Sequence, residues 1–473
     1  MKAVVIVGGG FTGAAIAYHL DRLAPGAASI VVVEPRSSLG GGLAYSTADP
    51  AHRINVPASR MSLDPDEPLQ FDVWLDFTSA LRDDPQARLP DGRAFPRRGA
   101  FGRYVQEKLG PALEAGRIIH KRAKVLAIDS QPNGYAIELS TGETIHCDMA
   151  VIATTHPAPT PPAPLSQALA DDPRFIPDSN APHALDGVRT YDRVLVVGAG
   201  LTMADIVASL DRRGHRGPIT ALSRRGQLPA QHPPAASPNF GDFVTAPATT
   251  IRQLVRAVRA AVAEAEAEGL PWQCVFDALR NQGRGIWTAL EPGERRKMAR
   301  RLRPFWDARR FRIAPQVQDV LEKRRREGAF ESLAGSIRQA KPESAAIAVD
   351  IRLRGLGQAV SRDIDAVVVA TGPAHRDVLC SQPYLNRLEV DGLVSLDAVG
   401  LGLATDIRGR AIGEAGKAID TLLIGGPLAR GTFGELMGLP EVSRHAVDIA
   451  REIAASIKTD DRTAPKRLLA LTA

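Results

Sequence analysis

Short apolar runs, mostly β-branched, punctuate the chain. The first, Ala3–Val7, enters Gly8-Gly9-Gly10-Phe11-Thr12-Gly13 and then the helical pattern Ala14–Leu20. A continuous apolar run of this length predicts a strand buried on both faces, as in a parallel sheet. A second, Ile30–Val33, ends in Glu34. Helical spacing follows over 67–82, with Leu69, Val73, Trp74 and Phe77 on one stripe, and again after Gly99, with Phe101, Tyr104, Val105 and Leu109. The period shortens at Ala123–Ile128, Tyr135–Leu139 and Thr144–Cys147, with Asn133-Gly134 and Thr141-Gly142 as turns, predicting an antiparallel insert over about 118–147. Met149–Ala153 is again a buried run.

Beyond a stretch with five prolines in 157–164, which reads as a linker, the opening pattern repeats. Val194–Val197 precedes Gly198-Ala199-Gly200-Leu201-Thr202-Met203, and Ile219–Leu222 precedes Ser223-Arg224-Arg225. From about 240 to 330 helical stripes replace the alternation, as at Ile251, Leu254, Val255, Val258 and Val262. Strands return at Ser336–Gln339, Ala345–Leu353 and Ala366–Ala370, which runs into Thr371-Gly372. A last strand, Leu422–Ile424, meets Gly425-Gly426-Pro427, and Glu435–Ile457 reads as helical. The pattern therefore predicts an α/β protein: two Rossmann-like dinucleotide-binding units, a small antiparallel β insert and an all-helical insert. The expected boundaries are 1–160 and 361–473 for the two parts of the first unit and 185–360 for the second.

The glycines at Gly8, Gly10 and Gly13 suit a tight turn, the close approach of a pyrophosphate and the close packing of helix on strand. The helix start at Phe11 and Thr12 offers free N–H groups to the phosphates. Glu34, 21 residues after Gly13 and followed by Pro35 and Arg36, can accept both hydroxyls of a ribose and would repel a 2′-phosphate. The second unit has the opposite chemistry. After Gly198, Gly200, Leu201 and Thr202 it offers Ser223, Arg224 and Arg225, which bind a 2′-phosphate by charge-assisted hydrogen bonds. The contrast places FAD in the first unit and NADPH in the second. Met203 stands where a third glycine would be, so looser packing is expected there. Gly42 and Leu43, in a second glycine cluster, let backbone lie against a large planar ligand. Asn55, Arg60 and Ser62 lie in a long stretch without period, of a kind that is often functional, and suit a flavin ring or a substrate.

Composition narrows the class. Apolar residues make up 44% and charged residues 24%, and no run approaches a membrane helix, so a soluble protein is expected. Cys147, Cys274 and Cys380 are far apart, which argues against a disulfide scaffold, a zinc site and a dithiol relay. A cytoplasmic location is the default. Cleavage of the N-terminus as a signal peptide would remove the first strand and its glycines. The net charge of +6 is uneven. Residues 295–326 hold thirteen Lys/Arg against three acids, a local +10, which leaves −4 for the remainder. A nucleic-acid binder would not look like this. A charge run is usually a solvated helix face, although Arg309-Arg310-Phe311-Arg312 could meet the NADPH phosphates across the cleft.

Gly42-Leu43-Ala44-Tyr45, Arg53-Ile54-Asn55-Val56-Pro57-Ala58, Gly200-Leu201-Thr202-Met203-Ala204-Asp205 and Ser223-Arg224-Arg225-Gly226, with Gly431-Thr432-Phe433 and Pro440-Glu441 near the C-terminus, resemble the bacterial FAD/NAD(P)-binding protein family. These are two-dinucleotide-binding-domain flavoproteins, similar to flavin-dependent N-hydroxylating monooxygenases. The resemblance implies FAD and NADPH as cofactors, and cofactor contacts at Thr371, Gly372, Gly426 and Pro427. It further implies O₂ and peroxyflavin chemistry on a small nucleophile such as an amine, hydroxylamine or thioether. The Phe-x-Gly-x-x-x-His fingerprint of related oxygenases is missing. His183, 15 residues before Gly198, falls near the place of its histidine, and it joins Asn55 as a candidate catalytic residue. Two other readings stay open: a reductase or dehydrogenase passing electrons from NADPH to a quinone or protein acceptor, and a non-enzymatic redox sensor.

Overall fold

Val4, Val5 and Ile6 are wholly buried because their strand, β1 (Lys2–Val7), lies between two parallel neighbours in the computed structural model, which describes residues 1–355 and 357–463. Helix α1 (Phe11–Leu23) leads to β2 (Ala28–Val33), which pairs with β1 from Lys2↔Ala28 to Val7↔Val33. After α2 (Gly42–Tyr45), α3 (Gln70–Phe77) and α4 (Arg98–Glu114), strand β3 (Ile118–Lys121) adds in parallel to the other side of β2. The antiparallel meander β4 (Val125–Gln131), β5 (Gly134–Leu139) and β6 (Thr144–Cys147) is a separate sheet, and β7 (Met149–Ile152) returns beside β1.

A second sheet follows α5 (Ala163–Leu169) and β8 (Phe175–Ile176). Strand β9 (Val194–Val197), helix α6 (Leu201–Arg212) and strand β10 (Ile219–Ser223) repeat the opening βαβ unit. The helical insert comprises α7 (Ile251–Ala267), α8 (Gln273–Asn281), α9 (Gly283–Ala289), α10 (Pro292–Lys297), a π-helical turn at Met298–Leu302 and α11 (Arg303–Arg310). Its first helix starts on a capping box between Thr250 and Gln253, which satisfies two N–H groups that a helix start otherwise leaves unpaired. Helix α12 (Pro315–Arg326) packs back on α6. Then come β11 (Phe330–Pro342), β12 (Ile347–Leu353), β13 (Ala359–Ile364) and β14 (Ala366–Val369), giving the order β13-β12-β11-β10-β9-β14-β8. Past α13 (Pro383–Val390), β15 (Arg410–Ile412) and β16 (Ala418–Ile424) complete the first sheet as β15-β16-β7-β1-β2-β3. Helices α14 (Arg430–Phe433) and α15 (Leu439–Thr463) end the described chain, with α15 packed along α1.

Three expectations need correction. The helix expected over 67–82 is the shorter α3, and the stripe it buries is Phe71 and Leu75; Leu69, Val73 and Phe77 are exposed. Phe71 is drawn inward by the ring of Phe101, 4.9 Å away and perpendicular to it. Strand β3, counted with the β insert, belongs to the first sheet, where Ile118 is buried against β2. Strand β14, placed with the C-terminal part of the first unit from 361, pairs in parallel with β9 in the second sheet, from Ala366↔Val194 to Val369↔Val197. Met203 is fully buried, so the core takes up the side chain that replaces a glycine.

Candidate functional site

The β1–α1 loop has the conformation its glycines anticipate. Gly8 has φ +99°, and a Cβ on Gly13 would lie 1.9 Å from the Gly8 carbonyl oxygen, so helix and strand meet at a distance only glycine allows. Gly10 caps α1 with no side-chain acceptor, which leaves the N–H groups of the first turn available to an anion. Phe11 turns its ring into the core against Phe101 and Tyr45, so it offers the loop only its backbone. At the end of β2 the buried Glu34 carboxylate accepts from the Gly9 N–H at 2.9 Å and from the Arg36 N–H and Nη1 at 3.1 and 3.0 Å. Arg36 makes both of its bonds to Oε1, so Oε2, which takes only the Gly9 bond, keeps acceptor capacity for a hydroxyl. Gly42, at φ +50°, backs directly onto Gly10, while Leu43 and Pro35 are exposed. The late turn arrives at the same place: a Cβ on Gly426 would lie 2.5 Å from Thr12 Oγ1, and Pro427 follows it.

The second loop repeats this construction. Gly198 has φ +137°, and Gly200 caps α6 without a side-chain acceptor, ahead of the half-buried Leu201 and Thr202. A Cβ on Gly200 would meet nothing within 4 Å, so this backbone is open to a close approach. Each crossover strand ends beside its own loop: a Cβ on Gly8 would lie 2.9 Å from the Ala153 carbonyl, and one on Gly198 2.1 Å from that of Ala370. Thr371 and Gly372 therefore stand at the second loop. At the end of β10 the Ser223 hydroxyl accepts from Gly226 N–H at 2.9 Å. The Arg225 guanidinium lies 4.4 Å from the centre of the Phe305 ring, while Arg224 is exposed with no carboxylate partner among the described residues.

Between the two units lies a cleft of about 580 Å³. One wall is the loop Ile54–Met61; others come from Leu201, from α8 and α11 and from Met437–Leu439. Asn55 is fixed at both ends. Its carbonyl accepts from His232 Nε2 at 3.1 Å, and its Oδ1 accepts from the Ala314 N–H at 3.2 Å. Burial, aided by Arg312, pushes the pKa of His232 down to about 3, so the ring is neutral and donates this bond. Six arginines line the cleft (Arg60, Arg93, Arg98, Arg280, Arg310 and Arg312) against one acid, Asp277. Asp277 is held by Arg312 at 3.0 Å and Arg60 at 3.5 Å. Arg280 forms a two-pronged pair with Glu441 at 2.7 and 2.9 Å, and Arg310 pairs with Glu435. Arg98 reaches Asp205 of α6 at 2.7 Å, joining the two units at the cleft edge. Arg93 is held by Asp91, so the six arginines are met by five carboxylates and the cleft keeps one positive charge in excess.

His183 is not part of this arrangement. It sits in a turn at φ +61° that directs its ring into solvent, 85% exposed, where Nδ1 lies 2.8 Å from Asp186. The expectation that it is catalytic is dropped. Conversely, Asp277, Arg280 and Asn281 of α8 reach the cleft without having been singled out. Their i, i+3, i+4 spacing opposite Phe276 and Leu279 was the available signal, but a polar helix face reads first as a solvated one. In the basic run, Arg310 and Arg312 do face the cleft, while Arg309 does not.

Two βαβ units, each with a glycine loop capping a helix and a crossover strand beside it, define the fold of the two-dinucleotide-binding-domain flavoproteins. Residues 5–157 match the family model for FAD-NAD(P)-binding proteins. No curated protein matches the sequence. Among solved structures, the chain is similar to the ornithine hydroxylase of Pseudomonas aeruginosa, with a TM-score of 0.62 at 17% identity over 96% of this chain and 99% of that one. The ornithine N-hydroxylase of Kutzneria sp. 744, solved with reduced FAD, NADP⁺ and L-ornithine, gives 0.62 at 18% identity over 98% and 100%. The thioredoxin reductase of Lactococcus lactis gives 0.52 at 12% identity over 97% and 100%.

Proposed function

We propose that the protein is an NADPH-dependent flavin monooxygenase that oxygenates a small nucleophile, an amine, hydroxylamine or thioether, in the cleft between its two units. The observation that carries this reading is the cleft itself, which brings the loop Ile54–Met61 of the first unit within reach of Leu201 at the second glycine loop. In this reading Gly8, Gly10, Thr12, Glu34, Gly42 and Gly426 hold FAD, and Gly200, Thr202, Ser223 and Arg224 hold NADPH. The bound pair supplies two-electron reduction and the transfer of an oxygen atom from O₂. The chain's own groups position and shield. Neutral His232 locks the Asn55 backbone, Oδ1 of Asn55 is held by Ala314, and the Asn55 amide N–H groups remain available to a ligand. The Arg312–Asp277 and Arg280–Glu441 pairs fix the opposite wall, and Arg60 reaches from the loop to Asp277. Asp277 is already claimed by two cations, so the cleft favours a neutral nucleophile over an ammonium ion.

The cysteines support an oxygenase over the dithiol branch of the same fold. Cys147 and Cys274 are buried, Cys380 is exposed, and all three are free. A specific observation favours the runner-up, an electron-passing reductase: Arg296, Arg300 and Arg301 are exposed on the insert, where an acidic acceptor protein could dock. One experiment separates the readings. The FAD-loaded protein is given NADPH, ¹⁸O₂ and a panel of amines, hydroxylamines and thioethers. Label appearing in product is the expected result. NADPH oxidation that requires a quinone or carrier and leaves no label would favour the reductase. Negligible turnover with every acceptor would favour the sensor.

A further inference from the structure

The helical insert, with Leu401, Arg430, Gly434 and Glu435, borders a second, half-open chamber of about 690 Å³, separate from the cleft. Helix α8 is the partition: Phe276 and Leu279 face the chamber, while Asp277, Arg280 and Asn281 face the cleft. Trp272, Trp287 and Trp306, three of the four tryptophans in the chain, border it. Val255, Val258 and Val262 of α7 look across at Met298 and Leu302, and all five are only half-buried although they point inward. Protein interiors are close-packed, so apolar side chains gathered around open space of this size mark a ligand pocket better than they mark a core. The backbone agrees, because the wall includes the five-residue π-helical turn Met298–Leu302, an irregularity that recurs at functional sites.

The charged groups of this chamber are mostly positive, with four arginines against two glutamates. Arg259 and Arg309 stand exposed at its mouth and have no carboxylate partner among the described residues. Arg303 is half-buried and Arg430 buried, and they share one acid, Asp307, at 3.6 and 3.7 Å. Of the two glutamates in the lining, Glu435 is taken by Arg310 and Glu266 is exposed to solvent. An apolar chamber with surplus guanidinium at its mouth and floor matches a ligand with an apolar body and a negative end.

We infer that the insert chamber is a binding site for an amphipathic anion, whose hydrocarbon chain or ring system fills the space between α7 and α11 and whose carboxylate meets the arginines. This goes beyond the monooxygenase reading and does not depend on it, so its test uses no turnover. The FAD-loaded full-length protein is titrated with decanoate and dodecanoate below their micellar concentrations, with tryptophan fluorescence and calorimetry as readouts. Binding should saturate, and dodecanoate should bind roughly tenfold more tightly than decanoate, in line with the burial of two further methylenes. Dodecyltrimethylammonium should bind at least about tenfold more weakly than dodecanoate. Val258→Trp and, from the opposite wall, Leu302→Trp fill the chamber; either variant that retains FAD and a wild-type melting temperature should lose binding. Arg259→Leu combined with Arg309→Leu should narrow the preference for the anion. Failure to saturate, absence of chain-length dependence, equal binding of the cation, or undiminished binding in a folded chamber-filling variant would each overturn the proposal.

Discussion

Glu34 and Arg224 occupy corresponding places just past β2 and β10, and they carry opposite charge. The Glu34 carboxylate is buried and organised by Gly9 and Arg36; the Arg224 guanidinium is exposed and has no carboxylate partner among the described residues. Removing a charge-assisted hydrogen bond to a phosphate costs about 1.5–3 kcal/mol. Arg224→Ala should therefore raise the KM for NADPH by roughly 10–100-fold and leave that for NADH nearly unchanged. Steady-state kinetics with the two nucleotides checks this, and equal effects would defeat the assignment of the 2′-phosphate. Arg225 is a weaker candidate than the sequence suggested, since its guanidinium lies over Phe305.

At the scale of elements, the two glycine loops differ in what they tolerate. Gly13→Val places carbon against the Gly8 carbonyl and should separate α1 from β1, giving protein with little bound FAD and a lowered melting temperature. Gly200→Ala meets open space at φ −91°, so the fold should keep its stability to within about 0.5 kcal/mol. If a pyrophosphate approaches there, the KM for NADPH should nonetheless rise several-fold with FAD content unchanged; an unaltered KM would place the nucleotide elsewhere. The strands that frame these loops were legible because parallel strands buried on both faces leave unbroken apolar runs, as in β1, β2 and β9. Partners were less legible. Nothing local distinguishes β14, which joins β9, from a strand of the first sheet, and the helix of α3 turns on where the ring of Phe101 lies. The cleft-facing side of α8 was readable as a polar stripe, but its function depends on which surface it packs against, and that is a tertiary fact.

Across the whole molecule, four histidines are held far below the ordinary imidazole range. Burial pushes His232, His375 and His445 down to about 3 and His156 to about 4, with neighbouring arginines adding to the effect. His445 Nδ1 accepts from Gly426 N–H at 3.1 Å, a bond that protonation would remove. These folded values lie below the unfolded value of about 6.5, so the unfolded chain binds more protons in between. The stability they contribute is full above about pH 6.5 and falls as pH drops toward 4, by up to about 1.4 kcal/mol per pH unit for each group. Melting temperature should fall steadily from pH 7 to 5, and His445→Gln should flatten that slope; an unchanged slope would show that this ring does not titrate across unfolding. The sheet order has a consequence of another kind. Strand β7 is flanked by β1 and β16, and α1 is covered by α15, so the first sheet closes only with residues from the far end of the chain. The second sheet is complete within residues 175–369. During synthesis from the N-terminus, the second unit therefore has all its strands before the first has its last one. Until Ala418–Ile424 leaves the ribosome, the nascent chain carries β7 with one edge unpaired, and the apolar face of α1 stays uncovered until Leu439–Thr463 follows.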